Sequence, residues 1–306
     1  MTVRDNDLVR ILATGTSGTI GAALMPALSQ QHHAVTRLKT GAARGENEIH
    51  WEPLQPLHPQ KVAGFDAVIH LAGENVFGRW SARKKAAIRD SRVLGTQNLC
   101  DALARSGTKP GVLIAASAVG YYGSRSGDLR LTEGSGSGEG FLAAVTREWE
   151  QATEPAKQAG WRVVNLRTGI VLTSHGGALS KMLTPFRLGL GGKIGSGRQW
   201  MSWIAIDDEV GGILHCLKTE SVRGPVNLVA PHPASNAEFT RILAKTLHRP
   251  AFATVPAIAA RAVFGREMAD ETVLASQQAY PEKLLASGYK FQHHELDEAL
   301  RRLLTR

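Results

Sequence analysis

Apolar residues gather in short runs along this chain, at residues 8–13, 34–38, 67–72, 112–116 and 162–166. Polar alternation is mostly missing from them. A strand with one solvated face alternates, whereas a parallel strand covered on both faces does not. The five runs therefore predict parallel strands inside a sandwiched sheet. Between them lie stretches with helical spacing at 20–30, Ala82–Arg105 and 141–159, the last stopping near Gly160 as a helix C-terminus should. Strand–helix alternation joined by right-handed crossovers predicts an α/β fold of the doubly wound type.

The rhythm changes after Arg167. Gly189, Gly191, Gly192, Gly195 and Gly197 make a flexible, glycine-dense region. Asp207 and Asp208 then open a helix reaching Lys218, and 225–230 reads as another strand. Beyond it, short helical pieces are broken by Pro231, Pro233, Pro250, Pro256 and Pro281. The last helix carries an apolar stripe of Leu296, Ala299, Leu300 and Leu303.

The turn between the first strand and the first helix reads Thr14, Gly15, Thr16, Ser17, Gly18, Thr19, Ile20, Gly21. A strand that ends in such a turn and opens a helix presents unpaired amides and the positive end of a helix dipole to an anion. Gly15 permits the tight turn, Gly18 lets the backbone approach a pyrophosphate, and Gly21 lets helix and strand pack closely. The whole turn is a candidate dinucleotide cradle. It implies a Rossmann-type doubly wound parallel sheet over 1–170, to which 198–225 returns. A smaller C-terminal α+β substrate lobe would comprise 171–197 and 226–306.

With 306 residues, 43% hydrophobic and 21% charged, the composition is that of an ordinary globular protein. No apolar stretch reaches the length of a membrane span, and the polar start does not resemble a signal peptide, so a cytoplasmic location is expected. The two cysteines, Cys100 and Cys216, are too few and too distant for a disulfide framework and read as core thiols. A net charge of +9 raises the question of nucleic acid. The basic residues are scattered, however, and no nucleic-acid motif is present. Small-molecule ligands are the expected partners, and long helices on this fold leave a homodimer open.

The end of the second strand decides which dinucleotide fits. An acid there would bind the ribose hydroxyls of NAD and repel an added phosphate. This strand instead carries Arg37 and Lys39, donors suited to a 2′-phosphate, so NADP(H) is the expected cofactor. Trp51 and Glu52 end the third strand, with Glu52 near the adenine edge. Leu71, Ala72 and Gly73 line the adenosine half, and Glu74 and Asn75 begin the next loop. His70 reads as a satisfied strand histidine. His32, His33, His293 and His294 lack partners at metal-ligand spacing, so no metal is expected.

With those residues in place, the chain resembles the atypical and extended short-chain dehydrogenase/reductases, in the subgroup related to nucleoside-diphosphate-sugar epimerases. The resemblance spans residues 9–303. Besides the glycine turn it is carried by Gly73, Glu74, Asn75, Arg79 and Trp80; Ser91, Arg92, Gly95 and Thr96; and Ser117 through Gly123. Later come Gly140 to Ala143 with Trp149 and Glu150; Arg167, Thr168 and Gly169; Ser202, Trp203 and Ile204 with Asp207 and Asp208; Asn227 to Pro231; and Glu267, Met268 and Ala269. It implies an NADP(H) domain with Ser117 at the active site and Arg167, Thr168 and Gly169 beside the nicotinamide.

The wider superfamily uses a Tyr-x-x-x-Lys pair to move a proton. This chain has Phe141 and Val145 at that spacing, and Ala205 where a His is usual. Tyr121 or Tyr122 is then a candidate proton donor, unless both simply pack against the sheet. Lys84 and Lys85 could face an acidic substrate or belong to a solvated helix face. Trp80, Trp200 and Trp203 are candidates for the cleft wall or the core, and Arg187 for a substrate anion. The leading expectation is an NADP(H)-dependent oxidoreductase acting on a small carbonyl or related unsaturated substrate. A nucleotide-sugar epimerase and a non-catalytic NADP(H)-binding sensor or scaffold are the alternatives.

Overall fold

The apolar runs fold into one parallel sheet. The computed structural model describes residues 9–125 and 127–304; Leu8, where the first run was expected to start, lies outside them. The first five strands are β1 (Arg10–Thr14), β2 (Ala34–Lys39), β3 (Glu48–His50), β4 (Ala67–His70) and β5 (Val112–Ala118). Arg162–Thr168 and Gly224–Leu228 complete the sheet. The spatial order is β3-β2-β1-β4-β5, then Arg162–Thr168, then Gly224–Leu228. All neighbours are parallel.

Both faces are covered, which is why the runs lack alternation. On one face Ile11, Ile69, Ile114 and Leu166 pack against Leu24 and Leu28 of α1 (Thr19–Gln30) and against Ile213 and Leu217 of the helix Ile206–Lys218. On the other, Leu12, Val68, Leu113 and Val163 meet Leu99 and Leu103 of α2 (Ala82–Arg105). Cys100 and Cys216 are free and buried in these layers, as expected of core thiols.

Three boundaries differ from expectation. The stretch 141–159 is two helices, α3 (Phe141–Gln151) and Glu154–Gln158, because Pro155 has no N–H to continue the ladder and starts a new helix instead. β3 ends at His50, before Trp51, whose amide donates to the Lys39 carbonyl at 3.0 Å. Residues 226–228, assigned to the lobe, belong to the main sheet, where Val226, Asn227 and Leu228 register with Leu166, Arg167 and Thr168.

The lobe has its own core, in which Leu179, Leu183, Phe186, Trp203, Phe239, Leu243 and Leu300 meet. Its glycine-dense segment is ordered: Gly192–Ile194 pairs with Ala253–Val255. Further small pairings join it to the rest, Gln278–Ala279 with Arg130–Leu131 and Trp203–Ala205 with Ile170–Leu172. Among the described residues, no helix is long and apolar enough to cross a membrane.

Candidate active site

The strand order reverses at β1, whose neighbours β2 and β4 lead the chain to opposite sides. Open α/β sheets bind ligands outside the carboxyl ends of their strands at such a point. The glycine turn sits there. Gly15 has φ +67°, and a Cβ on it would lie 2.5 Å from the Leu71 carbonyl carbon and 2.7 Å from the Ala72 nitrogen. A Cβ on Gly21 would meet Thr16 Cα at 2.7 Å. Gly18 differs, because its Cβ would find only the Gly15 oxygen, at 3.3 Å, and otherwise open space. The α1 N-terminus has no side-chain cap and no acidic residue in its first turn. Its amides and dipole therefore face an open cleft of about 430 Å³, lined by Ser17, Gly18, Thr19, Ala22, Thr173 and His175 among others.

Thr173 and His175 were not anticipated. They arrive because Gly176, with φ +79°, brings its loop against Thr19, whose Oγ1 would be 3.1 Å from a Cβ there. On the far side of the turn, His70 bridges Thr14 Oγ1 at 2.7 Å and Thr96 Oγ1 at 3.0 Å. Burial drops its pKa to about 4, so the ring is neutral. It is the satisfied strand histidine expected.

At the end of β2 the two basic residues share a carboxylate that the strand itself does not carry. Glu48 of β3 lies 3.2 Å from Lys39 Nζ and 4.0 Å from Arg37. The Arg44 amide and Lys39 hold its pKa below the usual value. Glu52, by contrast, extends into solvent beside His50. Glu74 is bound to Lys84 at 2.6 Å, and its amide donates to Ser91 Oγ. Asn75 Oδ1 accepts from the Phe77 amide in a local turn.

At the carboxyl ends of β5 and Arg162–Thr168 lies a buried polar network. Arg167 is 2% exposed and makes a bidentate pair with Glu150 at 2.8 and 2.9 Å. Ser117, in register with Arg167, donates its hydroxyl to Glu150 Oε1 at 2.7 Å. The Tyr122 hydroxyl accepts from Arg167 at 3.0 Å and contacts Asn227 Oδ1 at 2.7 Å. The Asn227 backbone N–H donates to Glu133 Oε1 at 3.0 Å. The guanidinium also lies 3.5 Å from the Tyr121 ring centroid. Burial pushes the Tyr122 pKa up, with Arg167 opposing it.

Two expected catalytic groups are members of this network. Ser117 and Tyr122 are buried, the first bonded to Glu150 and the second to Asn227 and Arg167. Tyr121 packs edge-on to Tyr122 at 5.4 Å. Thr168 donates to the buried Glu209 at 3.0 Å, and a Cβ on Gly169 would meet Val229 at 2.9 Å.

Of the residues proposed for the substrate cleft, Trp80 is half-buried and stacks edge-on against Phe141 at 5.2 Å. Trp200 is half-buried, its indole N–H donating to Asp128. Trp203 is wholly buried, a lobe core residue whose N–H donates to the His232 carbonyl. Arg187 ends the helix Gly177–Arg187, roughly 15 Å along its axis from the glycine loop beside Thr19. It sits there exposed against Arg249, so the structure does not bring it to the turn.

The sequence profile of the NAD dependent epimerase/dehydratase family matches residues 11–229. The chain belongs to that family. A second profile, described as a domain of unknown function, matches 255–303. An epimerase family protein of Mycobacterium bovis is 43% identical over 298 residues, which cover 97% of this chain and 98% of that one. The crystal structure of human epimerase family protein SDR39U1 with NADPH is 35% identical with a TM-score of 0.89, covering 97% of this chain and 99% of that chain. A nucleoside-diphosphate sugar epimerase from Corynebacterium glutamicum is 37% identical with a TM-score of 0.81, covering 98% of this chain and 59% of that chain. The family resemblance and the Rossmann-type fold expected from the sequence are borne out.

Within this epimerase/dehydratase-family fold the start of α3 is apolar and capped from the lobe. Val145 is buried, and Phe141 packs on Trp80. The Phe141 and Leu142 amides donate to Glu271 at 2.8 and 2.7 Å. A carboxylate there answers both the unpaired amides and the helix dipole. Lys85 meets Glu267 of the same lobe helix, Arg266–Glu271. Glu133 and Glu271 were invisible to motif reading, whereas Asn227, Glu150, Lys85 and Glu267 lay in segments already singled out.

Proposed function

We propose that this chain binds NADP(H) and uses it to reduce a small carbonyl or related unsaturated substrate. The observation that carries the reading is the pairing of an open, uncapped α1 N-terminus behind Gly15 with the cations Arg37 and Lys39 at the end of β2. The human relative crystallised with NADPH supports it. Gly15, Gly18 and the Thr19 to Gly21 amides would hold the pyrophosphate. Arg37 and Lys39 would hold the 2′-phosphate, exchanging part of their contact with Glu48 for it. Leu71, Ala72 and Gly73 would border the adenosine half, with Thr168 and Gly169 at the nicotinamide end. Bound NADPH would supply the hydride.

Fluorescence titration with NADPH and NADH tests the cofactor. Arg37→Asp is expected to weaken NADPH about ten- to hundredfold, the worth of one charge-assisted hydrogen bond, while leaving NADH nearly unchanged. Equal losses for both would remove the 2′-phosphate assignment. NADPH consumption over a carbonyl library tests the reaction. A non-catalytic NADP(H)-binding role is the second reading, favoured by Phe141 and Val145, and tight binding without consumption would select it.

A further inference from the structure

The start of α3 packs against a cation that the reading above leaves without a role. Lys85 stands in the first turn of α2, and its Nζ lies 4.5 Å from the Phe141 ring centroid. Glu267 Oε1 is 2.5 Å from that Nζ. The Arg266–Glu271 helix that carries Glu267 is fixed by Glu271, which caps α3. One lobe helix thus holds both the α3 start and the ammonium above it. The Lys85 and Glu267 side chains are 32% and 44% exposed, so solvent and solutes reach the pair. Lys84 differs, because its partner Glu74 belongs to the same domain.

Reducing a carbonyl requires a proton for the oxygen as well as a hydride for the carbon. Phe141 has no proton to give, Ser117 and Tyr122 are committed to Glu150, Asn227 and Arg167, and the Tyr121 ring is packed on the Arg167 guanidinium and Tyr122. Lys85 retains an ammonium with N–H bonds to spare, over an apolar floor of Phe141 backed by Trp80. The floor itself adds no hydrogen-bond acceptor to the one that Glu267 supplies.

We propose that Lys85, positioned by Glu267, faces the substrate oxygen and gives it the proton that the phenylalanine at 141 cannot. This rests on the NADP(H) reading. As the carbonyl carbon accepts hydride from the reduced cofactor, the C=O π pair moves to oxygen. The oxygen takes a proton from Lys85 Nζ, and the amine left behind is reprotonated by water. Lys85 is the catalytic residue and Glu267 the positioning residue.

A test that needs no substrate uses NADP⁺ and sulfite. Sulfite adds its electron pair reversibly to C4 of the oxidised nicotinamide, placing an anion where the substrate oxygen would develop charge. The near-ultraviolet absorbance of the adduct gives its dissociation constant, and NADP⁺ affinity is measured separately. Wild-type protein is expected to stabilise the adduct relative to free NADP⁺. Lys85→Gln is expected to weaken it about ten- to hundredfold, the worth of one charge-assisted hydrogen bond, at unchanged NADP⁺ affinity. Lys85→Arg, which keeps the charge, and Tyr121→Phe are expected to retain it. Glu267→Gln is expected to weaken the adduct and Glu267→Asp to restore it, again without moving NADP⁺ affinity.

Unstabilised adduct on a wild-type protein that binds NADP⁺ would overturn the proposal. So would an adduct indifferent to Lys85→Gln, or one lost in Tyr121→Phe instead. Failure of the wild type to bind NADP⁺ at all would sink the cofactor reading, and this inference with it.

Discussion

Glu209 ties protein stability to pH in a way that one substitution can isolate. The residue is fully buried in the first turn of the helix Ile206–Lys218. One carboxyl oxygen accepts from Thr168 at 3.0 Å and the other has no partner. Burial pushes its pKa from 4.5 up to about 8, with the Thr168 bond pulling the other way. The folded protein therefore holds a proton on Glu209 that the unfolded chain releases above its ordinary pKa. A raised pKa gives stability that is complete below about 4.5 and falls as pH rises towards about 8. Each pH unit in that window is worth about 1.4 kcal/mol, so up to about 3 kcal/mol has gone by neutral pH.

Glu209→Gln keeps the shape and the acceptor for Thr168 but cannot ionise. Its amide occupies the place of an acid O–H that also lacks a partner, so little new cost arises there. The variant is expected to match the wild type near the low end of the window and to exceed it by about 2–3 kcal/mol near neutrality. Urea unfolding of both proteins without cofactor, at steps of about one pH unit across the window, measures the difference. Parallel stability curves would refute the reasoning, because they would mean that Glu209 gains no proton on folding.

Two more outcomes follow from the packing. Arg167→Met strands Glu150 in the interior, and a denaturation curve should show a loss of about 3–5 kcal/mol; a change below about 0.5 kcal/mol would show the pair to be replaceable by packing alone. Glu271→Ala removes the carboxylate shared by the Phe141 and Leu142 amides and should cost about 1–2 kcal/mol. Hydrogen exchange at those two amides should quicken, and unchanged protection would exclude Glu271 as their cap.

Much of the fold was legible because local chemistry determines it. Ile11, Val68 and Ile114 announce strands buried on both faces, and Gly15 stands where backbone strain and the Leu71 carbonyl leave room for nothing larger. What escaped depends on partners distant in sequence. Ser117 reads as a cleft hydroxyl until Glu150, 33 residues away, is found beneath it. Trp203 reads equally as cleft wall or core until the lobe closes around it. The carboxylate absent from the end of β2 returns on β3 as Glu48, which no pattern along β2 can reveal. Pro155 was legible and decisive, yet the helical spacing on either side of it masked the break.

The cap that Glu271 places on α3 also bears on how the protein is made. Synthesis delivers α3 well before the residue that completes its first turn, and Glu133 and Asn227 well before Lys283, whose amide also donates to Glu133. At about 5–20 residues per second, the ribosome leaves these groups waiting for several seconds or more. The sheet can assemble in that interval, but its last polar contacts cannot. The nascent chain therefore carries an unfinished helix end until Glu271 has been made.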